Sequence, residues 1–204
     1  MRRLLLVLAF VAASAPLSAA PRAYAIDGAA SSVRVHVGKA GAFSFAGHTH
    51  EVGAPALRGE VVVDEASLAA SSVTVAFEAG ALMVVPDGEP AGDPPKVEAV
   101  MRGPRVLDVA RFPAIGFRST AVSGRMVSPG VFDIAVAGDL AIHGVTRRVT
   151  LPLRAELRGG TLTVTGEATL RQGDFGIEPV SVAGVVKVKN ELGVSLRVVG
   201  RAAP

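Results

Sequence analysis

The chain carries four histidines, and two of them, His48 and His50, stand together in the stretch FAGHTHEV. On a regular strand both side chains leave the same face, because successive residues point to opposite sides. Two imidazoles placed this way can join a metal site, meet the polar end of a ligand, or stand hydrated. Zinc needs three or four ligands and a His-X-His pair supplies two. Glu51 points to the other face, so a metal would need His36 or His143 to arrive across the sheet. Ser44, Ala46 and Val52 share the histidines' face and do not decide among the three. A hydrated or hydrogen-bonded pair is favoured, ahead of a headgroup contact and of a metal-dependent, His-based enzyme.

Two further polar clusters bear on chemistry. His143, in AIHGVTRR, falls at a strand end out of phase with Leu140 and Ile142. Gly144 then permits a turn, and Thr146 can bond backbone there, so both are expected to fix a hairpin. The alternative for His143 is a polar contact at a ligand entrance, shared with His48 and His50. In RQGDFGI, Arg171 and Asp174 are expected to pair across a turn made by Gly173 and Gly176, with Phe175 and Ile177 packed inward. A buried ion pair of that kind is no sign of function. The chain holds no G-x-S-x-G elbow, no H-E-x-x-H and no P-loop, so no catalytic residue, metal or cofactor is assigned.

The elements that must position these groups begin after the first twenty residues. MRRLLLVLAFVAASAPLSAA opens with Arg2 and Arg3, continues in an apolar run from Leu4 to Ala13 and ends in small residues. That three-part layout is expected for a secretory signal peptide, residues 1–20, with cleavage after Ala20 preferred to Ala25. The run is too short to span a bilayer. Without the two leader arginines, 19 basic residues face 18 acidic ones, so the formal charge falls from +3 to +1. No basic patch is interleaved with aromatics, which speaks against nucleic acid as a partner. With no cysteine there are neither disulfide staples nor a thiol to carry a lipoprotein anchor. The expected location is the periplasm. The chain is not expected to span a membrane, and a homodimer stays open.

Residues 21–204 read as a single all-β domain. Valines and isoleucines alternate with polar residues in SSVRVHV, SVTVAF, AIGFRS, FDIAVAGDLAI, RVTLPL, LTV and LGVSLRV. Such alternation marks strands with one buried face, and Gly, Pro, Ser and Asp separate them at the short intervals of an antiparallel meander. One stretch breaks the rhythm. In DGEPAGDPPKVEAVMRGP, Asp93 can cap a short helix with Pro94 in its first turn, and Gly103 can end it. Val97, Val100 and Met101 then share a side over the sheet or the barrel mouth.

About eight such strands can close into a barrel or stack as a sandwich, and the Cys–Trp–Cys signature of an immunoglobulin sandwich is absent. A barrel of this pattern encloses an apolar lumen, either packed solid or open to a hydrophobic ligand. The residues expected on its wall are Val33, Val35 and Val37, then Phe43 and Phe45. Val73, Val75 and Phe77 follow, then Ile115 and Phe117, Leu140 and Ile142, and Phe175.

GDLAIHGVTRRVTLPL, residues 138–153, resembles the strand–turn–strand block of the YceI family that ends in His-Gly-Val-Thr. YAIDGAASSVRVHV, VLDVARFPAIGFRST and RQGDFGI accompany it in that family's order and spacing, across nearly all of residues 24–199. The resemblance implies a lipocalin-like, extended antiparallel β-barrel whose apolar tunnel holds a polyisoprenoid or fatty-chain lipid, without metal or known catalysis. It thus implies a binding protein for transport or storage. A filled barrel serving as an interaction module, and a protein using His48 and His50 on a metal, are the alternatives. Two departures stand out. Val106 and Leu107 precede Asp108 where the family often has aromatics, and the stretch from Pro86 to Pro104 is unlike the usual form.

Overall fold

The structure, a computed structural model, describes residues 20–40, 49–87, 89–90, 92–182 and 186–202. Twelve strands run through these residues: β1 (Arg22–Ile26), β2 (Ser32–Ala40), β3 (His50–Ala54), β4 (Arg58–Val63), β5 (Ser72–Glu78), β6 (Met83–Val84), β7 (Ala114–Ser128), β8 (Val131–Ile142), β9 (Val145–Arg158), β10 (Thr161–Arg171), β11 (Ser181–Val182) and β12 (Val186–Ala202). The helix α1 (Asp93–Arg102) lies between β6 and β7.

The pairings reduce to eight staves. β1 and β2 lie end to end along β12, β4 and β3 along β1 and β2, and β5 and β6 along β4 and β3. β7, β8, β9, β10 and β12 then follow, each antiparallel to its predecessor. The last stave closes on the first, with Gly200 opposite Ile26 and Val194 opposite Val35. This is a closed, up-and-down antiparallel barrel of eight staves, one of the two closures the alternating pattern allows and the one the YceI resemblance implies.

The first three staves are broken, and the breaks interlock. Between β1 and β2, Asp27 accepts the Ala30 N–H at 3.1 Å, and the Ser31 hydroxyl donates to the Asp27 carbonyl at 2.7 Å. Ser31 also accepts the Val199 N–H of β12 at 2.9 Å. Gly28 sits in this break because any side chain there would come within 2.5 Å of the Leu57 carbonyl in the next stave's break. A bulge between Ser119 and Ala121 shifts the phase of β7, so that Ile115 and Phe117 point inward before it and Val122 after it.

Two buried clusters fill the ends. Tyr24, Phe132, Ala155 and Leu162, each between 1 and 7 % exposed, form a plug at one end. At the other, Leu82, Val84, Leu107, Phe175 and Ile177 pack beneath α1. The helix bounds differ by one residue at the cap: Gly92, left-handed at φ 83°, takes the cap position, and Asp93 is the first helical residue, 3.2 Å from Lys96. Pro94 and Pro95 follow in the first turn, where no N–H needs an intrahelical partner.

Candidate functional site

Between the two clusters lies a cavity of about 670 Å³ whose wall is almost wholly apolar. That volume falls within the range of a small-molecule site. The wall follows from alternation, because each inward residue of a closed barrel reaches the axis. Val33, Val35 and Val37 line it from β2, Val73, Val75 and Phe77 from β5, and Ile115 and Phe117 from β7. Leu140 and Ile142 line it from β8, and Phe175 from the 3-10 turn after β10. Phe43, Phe45 and His48 lie outside the described residues. The wall also uses Leu151 and Leu153 of β9, Val164 and Leu170 of β10, and Val194 and Leu196 of β12. These last carry the same alternation and were legible by the same signal.

Polar groups enter the wall unevenly. Ser71 and Ser72 lie toward the plug, whereas His50, Asp93, Lys96, Arg171 and Gln172 gather at the α1 end. His50 stands opposite Val37 and therefore faces inward. Its Nδ1 lies 2.9 and 3.0 Å from the two carboxylate oxygens of Glu89, whose side chain is 4 % exposed. Of the hydrated or hydrogen-bonded states favoured on sequence grounds, His50 is in the hydrogen-bonded one, in the cavity wall. The partner comes from the loop before α1, 39 residues away, where no local spacing signals it. His36, one register step from Val37, pairs with Glu51 on the outer face. Among the described residues no group of three or more His, Asp or Glu side chains converges as a metal site requires.

His143 stands outside the lumen wall. With Gly144 it forms the two-residue β8–β9 loop, both at positive φ (52° and 72°), the combination a type I′ hairpin turn demands. Its Nδ1 lies 3.3 Å from the Phe175 carbonyl, and its ring meets Phe112 edge-on at 5.1 Å. Arg171 and Asp174 do not pair. Arg171 reaches Glu191 across the β10–β12 ladder at 3.6 Å, and Asp174 offers its carbonyl to Arg147 at 2.6 Å. Phe175 and Ile177 are packed inward as expected, 3 and 5 % exposed.

α1 completes the wall. Val97, Val100 and Met101 line the cavity from it. Glu98 Oε1 accepts the Val84 N–H at 2.9 Å, and Arg102 donates to the Leu82 carbonyl at 3.0 Å. The two side chains also pair with each other at 3.1 Å.

Comparison with known proteins agrees with this architecture. A family model described as YceI-like domain matches residues 24–199. Among solved structures, BcnA of Burkholderia cenocepacia superposes with a TM-score of 0.66 at 19 % identity, covering 85 % of this chain and 98 % of that one. A polyisoprenoid binding domain from Saccharophagus degradans, implicated in plant cell wall breakdown, gives 0.60 at 13 % identity, with 89 and 99 % covered. The Campylobacter jejuni YceI protein gives 0.54 at 12 % identity, with 75 and 84 % covered. A search of curated proteins finds no match. The matched stretch takes in nearly the whole barrel, and the chain belongs to the YceI-like family.

Proposed function

We propose that this member of the YceI-like family is a non-catalytic binding protein that holds a polyisoprenoid or fatty-chain lipid in its lumen, for transport or storage in the periplasm. The supporting observation is the apolar cavity of about 670 Å³ inside a closed barrel. Apolar surface of that kind is costly to wet and is matched by a hydrocarbon chain. At roughly 0.8 kcal/mol per buried methylene, a dozen carbons gain about 10 kcal/mol without a charged clamp. Several of those are offset by lost translational and conformational freedom, which leaves a useful but reversible affinity. The lipid's tail lies toward the plug and its polar end toward His50, Lys96 and Arg171. The likeness to the polyisoprenoid binding domain supports the ligand class. The leader-like residues 1–20 support export.

The test is organic extraction of protein purified from cells, followed by mass spectrometry, with uptake of 1-N-phenylnaphthylamine measured in parallel. Co-purifying lipid at near-stoichiometric amounts, displaced by the probe, is the expected result. No lipid and no uptake would sink the proposal. Fractionation of cells making the full chain tests location, with a mature mass beginning near residue 21 in the periplasmic fraction.

A further inference from the structure

We propose that α1 is a lid over a lateral portal in the barrel wall between β6 and β7, and that ligand enters and leaves by its swing. This inference rests on the lipid-carrier proposal above and adds a route to it. Around most of the barrel the staves are joined by backbone ladders. β5 and β7 are laddered only as far as Glu78 opposite Ala114. Beyond that point β6 continues the third stave and, among the described residues, pairs with β3 alone and has no strand neighbour on its other side. α1 occupies that place.

The manner of attachment separates this stretch from the rest of the wall. Glu98 supplies an acceptor to the Val84 N–H, and Arg102 supplies a donor to the Leu82 carbonyl. Two side chains therefore stand in for the C=O and N–H of a missing strand. Breaking them opens a hole in the wall and leaves every ladder intact. Water can rebond the freed backbone groups, so opening leaves no orphaned polar atom. No residue of α1 is fully buried and Val100 is 47 % exposed, so the apolar packing that resists the motion is that of the half-buried Val97 and Met101.

The two ends of the helix differ in a way that sets the swing. After the C-terminus, Leu107 N–H bonds to the Met101 carbonyl at 3.0 Å and Val109 N–H to the Arg102 carbonyl at 3.2 Å, while Leu107 and Asp108 are buried. That end is the pivot. Before the N-terminus, Gly92 sits left-handed with nothing within 4 Å of a would-be side chain. This end moves, and the contact of Glu89 with His50 is the catch that holds it to β3. The latter gives His50 a role in the closed state of the cavity.

Hydrogen exchange on the unaltered full-length protein tests the lid without risk of misfolding. The Val84 amide, bonded to a side chain, is expected to exchange together with the α1 amides. Both should exchange at least 100-fold faster than ladder amides such as Val136 and Val194, which have strands on both sides. Exchange of Val84 and α1 only in step with those ladder amides would overturn the proposal. Stopped-flow exchange of 1-N-phenylnaphthylamine supplies the second arm. In Glu98→Ala/Arg102→Ala, on-rate and off-rate should both rise about tenfold while their ratio shifts less than threefold. Unchanged rates in a folded variant that binds the probe would also overturn it. If the unaltered protein takes up no probe, the carrier proposal falls by itself, and the exchange pattern still decides the lid.

Discussion

The two ends of the lumen are closed by different physics. At the plug, Tyr24, Phe132, Ala155 and Leu162 fill the barrel with side chains that are at most 7 % exposed, inside strands laddered on both sides. At the α1 end, closure depends on a ten-residue helix with no fully buried residue, held by side-chain bonds to Leu82 and Val84, with Glu89 of the loop before it bonded to His50. Close packing resists any local change, because each lost methylene leaves a void. Side-chain bonds to backbone are worth about 1 kcal/mol net each and are readily exchanged for water. The difference teaches where such a barrel can be stable and where it can open: the plug carries stability, and the helix carries access.

The largest effect expected from breaking this contrast is at the plug. Phe132→Ala should lower unfolding free energy by about 3 kcal/mol, measured by chemical denaturation, the lower end for a buried Phe because the lumen already borders it. Next comes the β8–β9 turn. Gly144→Val places a branched side chain at φ 72°, and its Cβ would lie 2.3 Å from Phe112. Strain of that sort costs about 2 kcal/mol, whereas His143→Asn, which tolerates positive φ, should change stability by less than about 0.5 kcal/mol. A lumen-filling change sharpens the comparison from within. Ala168→Trp projects a ring into open space, so stability should hold while probe affinity falls about tenfold. Loss of stability with unchanged affinity would show that this part of the lumen is not where ligand lies. Val100→Ala on α1, half exposed, should move stability by no more than about 0.5 kcal/mol.

What was legible in the sequence follows the same division. The inward faces of β2, β5, β7 and β8 could be read because a half-buried strand writes its face into every second residue. The loop turn at His143-Gly144 was legible from the Gly and from the phase change. The family blocks supplied closure of the barrel, which alternation alone left open against a sandwich. Three features were not legible, each for a physical reason. Glu89 meets His50 across 39 residues, a tertiary contact without local period. The plug draws Tyr24, Phe132 and Leu162 from strands remote in sequence, so their clustering depends on closure. Arg171 looked placed for Asp174 by spacing, but the ladder put Glu191 opposite it. For α1, the apolar side of Val97, Val100 and Met101 was visible, while the backbone targets of Glu98 and Arg102 were not, since they lie on another element.

The smallest expected effect lies at the seam where the last stave meets the first, near the plug. Asp27 accepts from Arg201 Nε at 2.8 Å and from the Ala30 N–H at 3.1 Å. The Arg201 hydrogen bond, with the backbone bond behind it, holds the Asp27 carboxyl below its ordinary value of 3.8. A depressed carboxylate stabilises the fold wherever it is ionised in both states, so its contribution is complete above about pH 4 to 5. Below pH 3.8 the unfolded chain takes up the proton before the folded one, and the contribution fades as pH falls through the lowered folded value. Asp27→Asn should therefore cost stability at pH 7 and little at pH 2, so the two proteins' denaturation midpoints converge on acidification. Because the Arg201 partner is solvent-exposed and 0.1 M salt screens such pairs, the gap at pH 7 should also narrow as salt rises. A gap that persists unchanged to pH 2 would mean that Asp27 acts through its turn geometry and not through its charge. The Phe132→Ala deficit at the plug involves no titrating group, so it should keep its size across the same pH range, and this separates the packed closure from the charged seam beside it.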